Sequence, residues 1–355
     1  MAIVISGNGI DMGNNPVSNA SQIDGVVINE NNENVATTSN LVGFKNYIIN
    51  GNFDIWQRGD GPFTGYNCGA DRWIIWHPTA TMASSITSSN GIQKRIAHIQ
   101  NVTAGGGFLG QAIELPLKGF GHPFVVGKKF TVSVRYSSTT KIRPSLVFRD
   151  SVVGANPVNL DSSMTAPMYK GGSGVDEVVS WTFTVDGTAA STNTCLVLTL
   201  QSESAASHVF MYQVQLEEGS VATPFEQRPF ELELGLCQRY YRKSFALNVT
   251  PSNAGSADSV NDIYNAITAF APHRGRLVSN INTCSIPFGV EMRITPTIQR
   301  YGNSSGYWFY NDGTTAGFTP NMFVTATTKG LIIGNEISTA FNVLVVGHYT
   351  ADAEF

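Results

Sequence analysis

Along most of this chain apolar residues alternate with polar ones, and no long helical period competes with that pattern. In Lys129–Ser137, Phe130, Val132, Val134 and Tyr136 fall on one side and Thr131, Ser133 and Arg135 on the other, because successive strand side chains point to opposite faces. Trp181, Phe183 and Val185 repeat the pattern, as do Leu196, Leu198 and Leu200. Over His208–Leu216 the same rule puts Phe210, Tyr212, Val214 and Leu216 on one face. Glycine-rich turns at Gly105–Gly107, Gly119–Gly121 and Gly171–Gly174 separate the runs. Many short alternating strands without intervening helices predict an all-β fold, with an antiparallel sandwich or jelly roll over 44–229.

The C-terminal part, 245–355, predicts a second β-sandwich, with strands at Ile286–Val290, Ile294–Arg300, Tyr307–Asn311, Met322–Thr327 and Phe341–Tyr349. Between the two lies the one helical candidate, a linking helix over 230–244. Pro229 suits its entry, Glu231 and Glu233 sit at its positive end, and Arg239, Arg242 and Lys243 at its negative end. Leu232, Leu236 and Tyr240 recur every four residues as an apolar stripe. Residues 1–43 are dense in asparagine and contain no basic residue. Such a segment cannot bury enough surface alone to offset its ordering entropy, so an arm that orders against a partner is expected.

Only 14% of the 355 residues are charged and the net charge is −4. No lysine/arginine stripe is present, which argues against nucleic-acid binding, and no apolar run approaches the ~20 residues of a membrane helix. The opening MAIVISGNGIDMG has no positive segment of a secretory signal, the first basic residue being Lys45. Cys68, Cys195, Cys237 and Cys284 form no CxxC pair, so free, mostly buried thiols in a reducing compartment are expected rather than disulfides or zinc.

Catalytic signatures are absent. The six histidines form no HExxH pattern, and there is no GxSxG elbow or P-loop. The acidic pairs Asp176–Glu177 and Glu217–Glu218 are sequence neighbours, which on a strand face opposite ways and cannot share acid–base work. The chain is therefore read as non-enzymatic. Trp56, Trp73 and Trp181 are expected in cores. The ligand-site candidate is YGNSSGYWFYNDG: Tyr301, Tyr307, Trp308 and Tyr310 lie beside Asn303, Asn311 and Asp312. Flat rings stack on sugar C–H faces, and the adjoining polar groups bond hydroxyls.

Four segments then acquire a shared meaning. NGNFDIWQRG (50–59), ADRW (70–73), QVQLEEGSVATPFEQRPF (213–230) and LCQRYYRKS (236–244), in that order, resemble bacteriophage tail fibres and related receptor-binding proteins, with a looser match at EMRITPTI (291–298). The resemblance implies a carbohydrate-binding-module-like jelly roll, an elongated homotrimer in the virion made in the host cytoplasm, and attachment to host surface glycan. The C-terminal domain would be the receptor-recognition tip. The opening MAIVISGNGIDMGNNPVSNA resembles the virion-attachment end of such fibres, so Ile3, Ile5, Ile10 and Met12 are expected to meet a tail hub, baseplate or adaptor protein. Some relatives hold a structural calcium near the NGNF-type segment, where Asp54 would be the ligand; no other cofactor is implied. Arg135 stands where relatives often carry an aromatic. A trimer would bring three helices together, with Leu232, Leu236 and Tyr240 inward. Competing readings are a structural tail adaptor or spacer, a depolymerase tailspike, whose β-helical repeats are missing, and a cellular carbohydrate-binding module.

Overall fold

In a computed structural model, the described residues are 44–354 without 90–91, 116–121, 151–156, 162–167, 189–192, 248, 254–281, 303–306, 312–315, 320–321 and 336–343, together with five short strands nearer the start. Those strands are β1 (Val4–Ser6), β2 (Gly9–Asp11), β3 (Pro16–Val17), β4 (Val27–Ile28) and β5 (Asn34–Ala36). β1, β2 and β3 form an antiparallel sheet with Ile5 opposite Ile10. Ile3 and Met12 lie outside the described residues.

The chain makes two compact units, and neither is one continuous stretch. The first comprises Met1–Asn52 and Gln100–Gln227, the second Phe53–Ile99 and Arg228–Phe355. The sequence reading had placed the divisions at 43/44 and either side of the linking helix. Elements after β5 are β6 (Phe63–Thr64), β7 (Ile74–Ile75), β8 (Thr81–Ser89), β9 (Ile92–Val102), β10 (Gly107–Glu114), β11 (Lys129–Ser137), β12 (Ile142–Arg149), β13 (Val158–Asn159), β14 (Glu177–Thr184), β15 (Cys195–Ser202) and β16 (Ala206–Glu218).

In the first unit β13, β12, β15 and β10 lie side by side in one sheet, and β14, β11 and β16 in another. The registers align the apolar positions: Val132 faces Trp181 on β14 and Leu216 on β16, and Val134 faces Val179 and Val214. Phe130, Val132, Val134 and Tyr136 are fully buried, as expected, and so are Trp181, Leu146, Phe148, Leu196, Leu198 and Leu200. Phe124 joins the two sheets, its ring 4.8 Å from Phe130 and 6.5 Å from Phe148. Apolar faces of two antiparallel sheets thus close on one core. β15 is buried on both faces, Val197 and Thr199 included.

One expected face is corrected. Val214 and Leu216 are buried, but Phe210 and Tyr212 are only half-buried, and the core takes Val209 and Met211 instead. A β-bulge causes this: Arg135 pairs with Gln213 while Tyr136 pairs with Met211, leaving Tyr212 as the extra residue. A one-residue bulge switches the side on which every following residue falls.

The second unit contains α1 (Phe230–Gln238), β17 (Tyr241–Lys243), β18 (Asn282–Pro287), β19 (Thr297–Tyr301), β20 (Trp308–Asn311), β21 (Ala316–Thr319), β22 (Met322–Thr327), β23 (Gly330–Asn335), β24 (Leu344–Val346) and β25 (His348–Asp352). The helix is shorter than 230–244. It turns out of α-geometry at Arg239–Tyr240, with Tyr240 N donating to Cys237 O at 2.9 Å, and Tyr241–Lys243 then pairs with Thr350–Asp352. Aromatic residues favour that extended pairing. Its side buried within the subunit is Glu233 and Cys237; Leu232 is exposed and Leu236 half-buried. Three small sheets follow, ordered β17–β25–β19, β18–β23–β22 and β21–β20–β24. Phe288, Met292, Leu331, Ile333, Tyr349, Ala351 and Ala353 form one apolar core.

Candidate functional site

The segments that carry the tail-fibre resemblance make contacts with one another inside each unit. In the first unit, residues leading into NGNF lie along β16. Tyr47 N donates to Leu216 O at 2.9 Å and Val214 N to Gly51 O at 2.7 Å. Asn46 Oδ1 accepts from Ile48 N and Leu216 N, and Asn46 N donates to Glu226 Oε2 at 2.8 Å. The QVQLEEGSVATPFEQ stretch braces itself, Glu217 accepting from Gln215 Nε2 and Thr223 N, each at 2.9 Å. Glu217 is buried whereas Glu218 faces solvent beside Lys128, so the acidic neighbours do diverge. Gly51 is obligatory, because a Cβ there would sit 2.4 Å from Val214 O.

In the second unit the rest of NGNFDIWQRG meets ADRW, LCQRYYRKS and the C-terminal residues in one buried ionic cluster. Asp71 accepts from Gln57 Nε2 at 2.6 Å and lies 3.6 Å from Arg58 Nη1. Arg58 also donates to Asp352 at 3.0 Å, and Arg72 pairs with Glu354. Each guanidinium lies on a consecutive tyrosine: Arg58 is 3.7 Å from the Tyr241 ring centre and Arg72 3.5 Å from that of Tyr240. Gln57 Nε2 further reaches Tyr241 O, and Ala353 N donates to Tyr240 O. Tyr240, assigned by sequence to a trimer axis, is thus packed inside its own unit, because stacking on Arg72 buries it. Phe53 stacks on Trp73 with centres 4.9 Å apart, and Trp56, Trp73 and Trp181 are all core residues.

Burial dominates the electrostatics of this cluster. It pushes the Asp71 carboxyl up to about 7, with Arg58 and Gln57 offsetting part of the effect. It raises the thiols of Cys68 and Cys237 and the Tyr241 phenol. Three carboxylates, Asp71, Asp352 and Glu354, surround Arg58 and keep it charged despite its burial. Raised thiols are poor nucleophiles, and Gln57, Arg58, Asp71, Arg72, Asp352 and Glu354 are turned on one another or on Tyr240 and Tyr241. Its chemistry is that of a structural lock.

The aromatic candidate segment is not one hairpin. Tyr301 ends β19 beside β25, whereas Trp308–Asn311 lies between β21 and β24. Tyr301 is half-buried with its ring edge-on to Phe245, and Tyr307 is exposed. Asn303 and Asp312 lie outside the described residues; Trp308, Tyr310 and Asn311 are placed by strand register alone. Beside Tyr301, His348 is buried, stacks on Phe245 at 4.0 Å and bonds Ser244 Oγ through Nδ1 at 2.9 Å. Burial lowers it to about 4.

On the face of β14–β11–β16 turned away from the core, Arg135 lies in one row with Val178 and Gln213, and Ser133 in the next with Ser180 and the buried Gln215. Arg135 is held by Asp176 through its Nε at 2.9 Å and its ring-facing side lies over Tyr212. Among the described residues no group of three or more His, Cys, Asp or Glu side chains is placed to hold a metal ion; Cys68, Cys195 and Cys237 are free thiols. No helix of the described residues is long and apolar enough to cross a membrane.

No family model matches the chain, and no curated protein does. Solved structures give partial likenesses. The CBM22-1–GH10 modules of Clostridium thermocellum xylanase 10B complexed with xylohexaose share 13% identity over 50% of this chain and 29% of theirs, at a TM-score of 0.32. The xylan-binding CBM22-1 domain of Paenibacillus barcinonensis Xyn10C shares 10% over 51% of this chain and all of its own, at 0.30. Tailspike protein 4 of bacteriophage CBA120 shares 13% over 49% of this chain and 21% of its own, at 0.28. Likenesses of this degree say nothing about what the chain binds.

Proposed function

We propose that this chain is a bacteriophage tail fibre that attaches the virion to the host cell surface by non-catalytic glycan binding. One observation supports the reading above others: the segments that resemble tail fibres are not scattered matches. Gly51 is bonded by Val214 in the first unit, and Gln57, Arg58 and Arg72 are held by Tyr240 and Tyr241 in the second. Residues that interlock in this way must be kept together, so a resemblance resting on all of them concerns a common fold core. In this reading the fibre is a homotrimer, residues 1–43 are its anchor to a tail hub, baseplate or adaptor protein, and the apolar Phe230 and Leu232 on the open side of α1 meet sister subunits. A jelly roll in the first unit and a second sandwich at the C-terminus belong to the same proposal.

The deciding experiment is adsorption of the purified, fluorescently labelled full chain to bacterial cells, with polysaccharide-stripped cells as control. A tail fibre binds the first and not the second. A spacer or adaptor binds neither. Release of reducing sugar from the cell polysaccharide would instead mark a depolymerase.

A further inference from the structure

We infer that Tyr66 is a saccharide-stacking platform for a neutral sugar ring, an inference that rests on the glycan-binding reading. Thr64, Gly65, Tyr66 and Asn67 form a tight turn with left-handed backbone at both central residues, φ +35° at Gly65 and +54° at Tyr66. Glycine takes that conformation freely, and asparagine tolerates it; a bulky aromatic is an outlier there and costs stability. The chain nonetheless keeps a tyrosine, and the ring is not used inside the protein, being 58% exposed. Strained, exposed residues mark positions kept for something other than folding.

The mounting is rigid on both sides. Phe63–Thr64 pairs with Thr81–Met82. Tyr66 N donates to Ile75 O and Ile75 N to Asn67 O, both at 3.0 Å. The other end of this same hairpin is the buried Asp71–Arg72 turn. Asn67 Nδ2 closes the turn onto Thr64 O and Gly65 O, and Pro78 backs Gly65 so closely that a Cβ there would lie 2.8 Å from Pro78 O. A backbone pinned in this way holds the Tyr66 Cα and Cβ in place, so less ordering entropy is lost on binding than from a free loop.

Charge narrows the ligand. Residues 61–70 and 74–80 contain no Lys, Arg, Asp or Glu. The groups next to Tyr66 in the turn are Thr64, Gly65 and Asn67, whose amide closes the turn, and on the segment that backs Gly65 the His77 imidazole accepts from Thr79 N through Nδ1 at 3.3 Å. An uncharged surface of ring, hydroxyl and amide suits the C–H face of a neutral pyranose better than an acidic sugar, which would need a cation.

The test uses the full chain, an array of neutral and acidic bacterial surface saccharides, and thermal unfolding of the same samples. Tyr66→Asn should raise the unfolding temperature by about 2 °C through relief of the strained backbone, and should lower binding to neutral saccharides about tenfold through loss of the stacked ring. Tyr66→Phe should bind as the unaltered protein does. A Tyr66→Asn protein that is stabilised yet binds as before overturns the platform and leaves the glycan reading standing. An unaltered protein that binds no saccharide on the array overturns both.

Discussion

Removing two guanidinium groups from water costs several kcal/mol each unless carboxylates and other acceptors take their place. Arg58 and Arg72 meet that cost with Asp71, Asp352, Glu354 and two tyrosine rings. Breaking such a pair leaves a buried charge uncompensated. Glu354→Gln should therefore destabilise the protein by about 3 kcal/mol or more in urea denaturation, and Arg72→Lys should not rescue the function of the guanidinium, since an ammonium lacks its flat face for Tyr240. Asp71 and His348 act on stability in opposite senses as pH changes. The folded state holds the Asp71 proton up to about pH 7, far above its ordinary 3.8, so its contribution is complete below about pH 4 and is lost as pH rises through 7. His348 is lowered from 6.5 to about 4, so its contribution is complete above about pH 6.5 and is lost as pH falls through 4. Calorimetry of the unaltered protein against Asp71→Asn should show its relative stability falling from pH 4 to pH 8. Against His348→Asn, relative stability should fall from pH 6.5 to pH 4. At this scale the sequence spoke only in part. ADRW and QRG stood out as motifs, but nothing local told Arg72 that its counter-ion lay at Glu354.

Elements were legible where one short-range rule decided them. The faces of β11 and β15, the burial of Trp181 and the limits of β22 follow from alternation alone, whereas Trp56 and Trp73 are buried outside any strand. Two elements did not follow. In β16 the bulge at Tyr212 is selected by pairing with β11, which a single strand cannot reveal. In α1 the four-residue leucine stripe suggested a longer helix, but Tyr241–Lys243 gains a partner in β25 that helix continuation would forfeit. Two substitutions test elements directly. Gly51→Ala forces a Cβ against Val214 O and should cost about 1–3 kcal/mol by chemical denaturation, the range for overpacking a tight site. Leu232→Asp alters an exposed position of α1; in a trimeric fibre it should reduce the native mass measured by light scattering while leaving the unfolding temperature of the subunit nearly unchanged. An unaltered trimer mass would remove α1 from the subunit contact.

For the whole molecule, the last strand decides whether the second unit exists. β25 is the middle strand between β17 and β19, and Asp352 and Glu354 serve the two buried arginines. A chain ending at Gly347 should lose this unit cooperatively, and trypsin should then cut at Arg58 and Arg72, which the full chain protects. Native light scattering of the full chain is expected to give about 115 kDa, three times 38.2 kDa; a monomer would count against the fibre. Patterning legible in the residues sets the all-β class, because period-two alternation, glycine turns and a scarcity of charge leave burying alternate faces of antiparallel sheets as the available route to a core. Long-range contacts are what show that NGNFDIWQRG, ADRW and LCQRYYRKS interlock, that Tyr240 faces Arg72, and that Tyr66 stands exposed. The physical reason is range: alternation and turn chemistry act between neighbours, whereas ion pairing and burial join residues as far as 294 positions apart.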